Sequence, residues 1–194
     1  MKKSLLTIVS LLVATLGFSQ STEWKIDHAH SNVTFEITHL MVATVIGKFE
    51  QFSGTIKSDA EDFSDITVEF QIETASVNTN NERRDNHLRS DDFFDSEINP
   101  YMTFKSKAFE KKEGNNYKML GDLTMNDVTR EIEFDVRFMG TIQDPWGNTR
   151  AGFRASSALD RTDYNLTYNT ALDGGGVLIG NNVDLRVNLE LIKE

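Results

Sequence analysis

Glu131-Ile-Glu-Phe-Asp-Val-Arg-Phe138 alternates without a break: Ile132, Phe134, Val136 and Phe138 point one way, and Glu131, Glu133, Asp135 and Arg137 the other. A period of two is the signature of a strand with one dry and one wet face. The same alternation runs through Val33, Phe35 and Ile37, through Ile66, Val68, Phe70 and Ile72, and through Val183, Leu185, Val187 and Leu189. Lys48 to Lys57, Met102 to Phe109, Tyr117 to Met125 and Arg150 to Asp160 are further strand candidates. One-sided strands suit antiparallel pairing, because a parallel sheet covered by helices reads as continuously apolar. The turns agree: Glu113-Gly-Asn-Asn116 and Asn126-Asp127 read as hairpin connections, and Asp144-Pro-Trp-Gly-Asn148 as a loop. The expectation is an all-β, antiparallel fold of about eight strands, for which a sandwich and a closed barrel are both open on pattern alone. One short helix is expected near residues 81–90, capped by Asn80 or Asn81.

The first nineteen residues read differently. Lys2-Lys3 is followed by an apolar run from Leu5 to Leu16 and by Gly17-Phe18-Ser19. That order is a secretory signal peptide over residues 1–19, with an apolar run too short to span a bilayer comfortably. Export is therefore expected, with no stable membrane insertion. Residues 20–194 are long enough for one domain with a substantial core. The chain has no cysteine, so an exported form must be stable without disulfides. The formal charge of −10 argues against a nucleic-acid partner, whose phosphates reward clustered Lys and Arg.

Few residues invite catalysis. His28-Ala-His30, placed on a strand, would put two imidazoles on one face as metal sites do. No further ligand stands at a telling spacing, so the histidines read as structural and no metal or cofactor is expected. Asp91-Asp92 and Glu61-Asp62 lie in polar stretches that promise no raised carboxyl pKa. Gly-x-Ser-x-Gly, a nucleophilic Cys and a phosphate loop are all absent from the sequence. Arg83-Arg84-Asp85 and Asp160-Arg161 read first as ion pairs that hold loops. What stands out is thirteen Phe. Phe35, Phe49, Phe52, Phe70, Phe104, Phe134 and Phe153, with Ile37, Val136 and Val187, fall on inward registers, where core packing is the default use.

Thr79 to Asp95, reading TNNERRDNHLRSDDFFD, is the most distinctive segment. Around it, in order, stand Trp24, Ile26, Asp27, His30, Ser31, Phe35, His39, Gly47, Phe49 and Gly54. Pro100, Phe104, Gly121 to Thr124, Val128 to Arg130, Gly152-Phe153, Asp160-Arg161 and Val183 to Leu191 follow. In this series the chain resembles the YceI-like family of periplasmic, lipocalin-like polyisoprenoid-binding proteins over essentially everything after its first twenty residues. The resemblance implies a lipocalin-like barrel with the apolar faces inward, a periplasmic location and a possible homodimer. It also implies a polyisoprenoid or isoprenoid-quinone-like lipid inside, lined by the ten apolar residues named above. Arg84 and His87 are then candidates to hold the ligand's head group at the barrel mouth. Asp127 and Asn165 stand where the family commonly has Gly, and Leu166 to Gly176 matches poorly. Two rival readings are a lipid-modifying enzyme using His87 with Asp85, and a ligand-free structural or interaction module with a filled core.

Overall fold

The computed structural model describes residues 21–194; the expected signal peptide lies outside the described residues. Its strands are β1 (Glu23–Ile26), β2 (Asn32–His39), β3 (Ala43–Phe49), β4 (Phe52–Lys57), β5 (Thr67–Glu73) and β6 (Val77–Asn78). After the helix α1 (Glu82–Arg89) come β7 (Tyr101–Lys111), β8 (Asn116–Met125), β9 (Val128–Gln143), β10 (Thr149–Asp160) and β11 (Ile179–Lys193).

These segments make an eight-position barrel, because three of the long strands are bent in the middle. β1 and β2 both pair antiparallel with β11, at Ile26↔Leu191 and at Val33↔Val187. β3 and β4 continue one another in the same way, opposite β2 and β1. β5 and β6 follow, opposite β4 and β3. The meander then runs through β7, β8, β9 and β10 back to β11, which closes the ring against β1. Closure pairs the edges that an open antiparallel sheet would leave exposed. Of the two architectures compatible with the alternation, the barrel is the one formed.

The bends have local causes. The Asp27 carboxylate accepts the backbone N–H of Ala29 at 3.0 Å, folding a turn between β1 and β2. His28 and His30 therefore sit in a turn, not on one strand face, and the strand-borne imidazole pair expected from their spacing does not form. The break at Glu50-Gln51 faces the 3-10 turn Thr74–Ser76, and Glu50 and Glu73 each donate a backbone N–H across it. At the β8–β9 connection, Asn126 and Asp127 take φ of 47° and 58°, the pair of positive values that a two-residue I′ hairpin needs.

One end of the barrel is plugged. Phe63, 1 % exposed, projects from the loop between β4 and β5 into a cluster of Trp24, Phe153 and Phe138, at ring distances of 4.8, 4.9 and 5.2 Å. The Asp65 carboxylate ties that loop by accepting from Ser58 Oγ and from the backbone N–H groups of Asp59 and Ala60. Tyr117 closes the plug, its hydroxyl donating to the Asp62 carbonyl at 2.9 Å. The opposite end carries α1 and the Phe93-Phe94 pair. Phe94 meets Phe49 at 5.7 Å, and Phe93 meets Tyr168 at 5.1 Å.

Candidate functional site

The helix end is built from short-range signals. Asn81 caps α1, its side chain accepting the Arg84 N–H at 3.0 Å; Glu82 and Asp85 occupy the first turn, His87 and Arg89 the last. The basic last turn complements the helix dipole, whereas Arg83 and Arg84 offset the two acids of the first turn, so the N-terminus rests on its Asn81 cap. Asp85 is buried and turned toward Thr79, accepting from its N–H at 2.8 Å and its hydroxyl at 2.5 Å. Arg84 grips the same residue, donating Nε to Thr79 Oγ1 at 2.7 Å and Nη2 to its carbonyl at 2.8 Å. His87 pairs instead with Asp92, Nε2 to Oδ2 at 2.7 Å, and its ring meets Phe93 and Tyr168 edge-on. The His87–Asp85 acid–base pair required by the enzymatic rival is therefore not assembled, because Asp85 is committed to the Thr79 turn.

Between the plug and the helix lies a cavity of about 390 Å³. That is within the size range of small-molecule sites and far beyond a packing defect. A fully packed core, the premise of the ligand-free rival, is not what the barrel contains. Phe104, Phe134, Leu159, Val183, Leu185 and Val187 face inward in a closed sheet yet are only half-buried, because they border this space. The walls are thin where glycine faces an aromatic ring. Phe35 lies over Gly47, its cross-strand partner, so closely that an added Cβ would stand 2.3 Å from Cζ. Phe104 lies over Gly121 in the same way, at 2.4 Å. Both rings thus occupy wall instead of lumen.

Of the residues expected to line a ligand site, Phe35, Ile37, Phe49, Phe70, Phe104, Phe134, Val136, Phe153 and Val187 border the cavity, as do Arg84 and His87. Phe52 does not. It is the first residue of β4, paired with Ile72 and packed at the edge of the core with Phe70 at 5.7 Å and His28 at 5.1 Å, and it does not reach the cavity. Several wall residues were not singled out from the sequence. Phe109 joins Phe104 because a bulge between Ser106 and Ala108 shifts the register by one residue and turns Phe109 inward. Leu166 and Tyr168, from the segment that matched the family poorly, also form wall.

Arg161 is the most consequential omission. It is 3 % exposed and borders the cavity at the start of the 3-10 turn Arg161–Tyr164. The ion pair suggested by Asp160-Arg161 does not form: Asp160 caps the turn by accepting from the Thr162 N–H and hydroxyl, at 2.8 and 2.6 Å. Arg161 donates Nε to the Gly180 carbonyl at 2.9 Å and Nη1 to the Leu166 carbonyl, while Nη2 has no acceptor. Burial pushes the guanidinium below its ordinary pKa, and the neighbouring Asp160 charge offsets part of that.

The densest ionic cluster lies at the plugged end, outside the cavity. Arg150 donates Nη1 to Asp27 at 2.7 Å and to Glu190 at 2.5 Å, and Nε to Asp144 at 2.7 Å. His30 joins through Nδ1 to Asp27 at 3.0 Å. The His30 imidazole and then the Arg150 guanidinium hold the Asp27 carboxyl down at about 2, and Asp27 in turn raises His30. Asp27, His30 and Glu190 approach as metal ligands would, within 4.8 Å of one another. The guanidinium already supplies their counter-charge, so the cluster reads as a structural clasp between the β1–β2 turn and the ends of β10 and β11.

Comparison with known proteins agrees with this geometry. The YceI-like domain family matches residues 24–191. A UPF0312 protein of Staphylococcus epidermidis is 40 % identical over 170 residues, covering 87 % of this chain and 96 % of that one. A UPF0312 protein of Staphylococcus aureus strain N315 is 38 % identical over the same coverage. Among solved structures, the Campylobacter jejuni YCEI protein superposes with a TM-score of 0.69 at 27 % identity, covering 97 % of this chain and 99 % of that one. A polyisoprenoid binding domain from Saccharophagus degradans, at 16 % identity, shares the fold with a TM-score of 0.63 over 90 % of this chain and 99 % of that domain. With a family match that spans nearly every described residue and a closed antiparallel barrel around an apolar cavity, the chain belongs to the YceI-like family.

Proposed function

We propose that this protein binds a polyisoprenoid or similar long-chain amphiphile in its barrel, for carriage, storage or stress protection in the periplasm after export. The observation that carries this reading is the cavity, about 390 Å³ of space walled by phenylalanine, leucine, valine and isoleucine side chains. The polyisoprenoid-binding domain that shares the fold supports the ligand class, and the Lys2-Lys3 and Leu5–Leu16 pattern supports export. Each buried methylene contributes roughly 0.8 kcal/mol, so a five-carbon unit brings on the order of 3–4 kcal/mol. Association costs about 4–15 kcal/mol, so several units are needed for tight binding. A methyl-studded chain meets that requirement against aromatic and branched walls without hydrogen bonds along its length. The helix end, with Arg84 and His87, is where its polar terminus would rest.

Mass spectrometry of an organic extract tests the proposal, using mature protein purified without detergent from a host with membranes. The expected result is a stoichiometric prenyl lipid. A clean extract, with no rise in melting temperature when prenyl alcohols are added, overturns it, because a ligand of the folded state must stabilise that state.

A further inference from the structure

We propose that the tip of the β2–β3 hairpin, Leu40-Met41-Val42, is a docking surface for a zwitterionic lipid bilayer. The first observation is that the turn is made from residues ill suited to its backbone. Leu40 and Met41 take φ of 52° and 62°, and the Val42 N–H donates to the His39 carbonyl at 3.2 Å across them. Two successive positive φ values are the I′ geometry that Asn and Gly fill best, and bulky side chains are strained there. At the β8–β9 turn, with the same sign of φ, the chain places Asn126-Asp127. Burial does not explain the choice either. Met41 is 61 % exposed and Val42 86 %, and Leu40 and, on the outer face of β3, Ile46 are exposed as well. Strained apolar residues that face solvent point to a role outside the folding of the chain.

The second observation is where the tip stands. His39 pairs with Ile179, the Leu40 N–H donates to the Leu178 carbonyl at 2.8 Å, and Met41 lies against Gly176. His39, Leu178 and Ile179 all border the cavity, so the tip rises beside it at the end opposite the plug. This surface is also nearly free of charge. Ile37 to Gly47 holds no Asp, Glu, Lys or Arg, and Tyr164 to Val183 only Asp173, in a chain of which 26 % is charged. Leu40, Met41 and Val42 offer a protein partner no side-chain hydrogen bonds, which protein interfaces use alongside apolar area. A bilayer asks only for apolar surface at the level of its acyl chains. The net charge of −10 disfavours an anionic membrane and leaves a zwitterionic one accessible. Three side chains give a shallow, reversible contact, not insertion of the barrel. The docking rests on the carrier reading for its purpose. A long-chain lipid dissolves in membranes, and contact at this end lets it pass between bilayer and cavity without crossing water.

Vesicle flotation of the mature protein at about 0.15 M salt, where charges are screened beyond ~8 Å, tests the docking. The probes are vesicles of phosphatidylcholine alone and of phosphatidylcholine mixed with phosphatidylglycerol. The wild type is expected to float with the first and less with the second. Leu40→Asn with Met41→Gly restores the favoured turn chemistry and removes most of the apolar tip, so the double variant should unfold at higher urea. Its partitioning onto phosphatidylcholine vesicles should fall about tenfold or more. Its farnesol affinity, by calorimetry, should be unchanged, because neither residue borders the cavity. Trp146, exposed at the plugged end, should keep its water-like emission when vesicles are added. A wild type that does not float, a preference for the anionic vesicles, or a variant that floats equally well overturns the proposal. So does a lower urea midpoint in the variant, which would make the tip a stabilising contact. A blue shift of Trp146 also overturns it, by placing the membrane at the other end. A wild-type dimer that does not float and that the double substitution disperses assigns the tip to a second copy instead. Flotation without farnesol binding overturns the carrier reading and leaves the docking surface standing.

Discussion

Gly47→Ala tests whether the cavity is kept open by rings lying flat against glycine. Gly47 faces Phe35 across the β2–β3 ladder, and the three atoms nearest to an added Cβ all belong to the Phe35 ring, at 2.3, 2.5 and 3.0 Å. With only a side chain in the way, the ring has to rotate off the wall, and the one free direction is the lumen. Overpacking of this kind costs about 1–3 kcal/mol of stability. The displaced ring takes roughly the room of one five-carbon unit of ligand, whose burial brings on the order of 3–4 kcal/mol. Affinity for a prenyl alcohol should therefore fall by about two to three orders of magnitude. Urea unfolding measures the first quantity and calorimetric titration with farnesol the second. Adding Phe35→Leu shortens the clashing side chain, so the double variant should recover much of both losses instead of summing them. A folded Gly47→Ala that binds farnesol as the wild type does refutes the reasoning, as does simple additivity in the double variant. Gly121→Ala makes the contrast: its Cβ would meet Phe104 at 2.4 Å and also the Lys105 carbonyl at 2.5 Å, so the backbone must move and the fold suffers together with binding.

At the plugged end, Phe63→Ala should lose about 3–5 kcal/mol in urea unfolding, since a ring buried among Trp24, Phe138 and Phe153 leaves a cavity that the sheet cannot close; a loss under ~1 kcal/mol would show that the plug contributes little. Asp85→Ala should cost about 1–3 kcal/mol by stranding the Thr79 N–H and hydroxyl, and amide exchange in α1 should accelerate; unchanged exchange there would remove Asp85 as the anchor of the helix. For Asp27, the folded carboxyl at about 2 lies below its ordinary 3.8, so its contribution to stability is complete above pH 3.8 and is lost as pH falls through the folded value. His30 runs the other way: raised above 6.5 by Asp27, its contribution is complete below pH 6.5 and fades as pH rises through the raised value. The two therefore reinforce each other between those limits, and carboxyl NMR of His30→Ala should find Asp27 titrating higher; an unmoved Asp27 would contradict the pairing.

Strand positions were legible because each strand has one wet face, and a closed sheet of one-sided strands keeps that pattern intact. The pattern fails where the backbone departs from regular pairing. The bulge at Lys107 exchanges the faces of β7, so that Phe104 and Phe109, five residues apart, both look inward. Phe52 keeps its inward parity but stands at the first position of β4, beside the Glu50-Gln51 break, where it packs on the core without reaching the cavity. Asn126-Asp127 carried its turn in its own chemistry and was read from sequence for that reason. The polar part of the site was legible only in part. Arg84 and His87 stood in a conspicuous charged segment, but Arg161 followed Asp160, and adjacent opposite charges read as a pair. Neighbours in a strand point to opposite faces, so sequence adjacency is a poor guide to an ion pair there. Only the fold could show that Asp160 caps its own turn and leaves Arg161 without a carboxylate.

Stability and binding are divided between the two ends of the barrel, and the division has a physical consequence. A cavity lowers the burial that the inward faces can deliver, and the sequence holds no cysteine to constrain the unfolded chain. The plugged end offsets this with a dense aromatic cluster around Phe63 and with Arg150 clasping Asp27, Asp144 and Glu190. Among the described residues the helix end has no comparable cluster of ion pairs; its polar groups are spent on the Thr79 turn, on Asp92 and on Arg161's two carbonyls. Ligand at a hundred times its Kd would add about 2.7 kcal/mol to the folded state. That gain should appear chiefly at the weaker end, as protection of α1 and of the turn from Arg161 to Tyr168, because the plug is held by contacts that the ligand does not make. A uniform gain in protection along every strand would mean instead that the barrel opens as one unit and that its two ends are not energetically distinct.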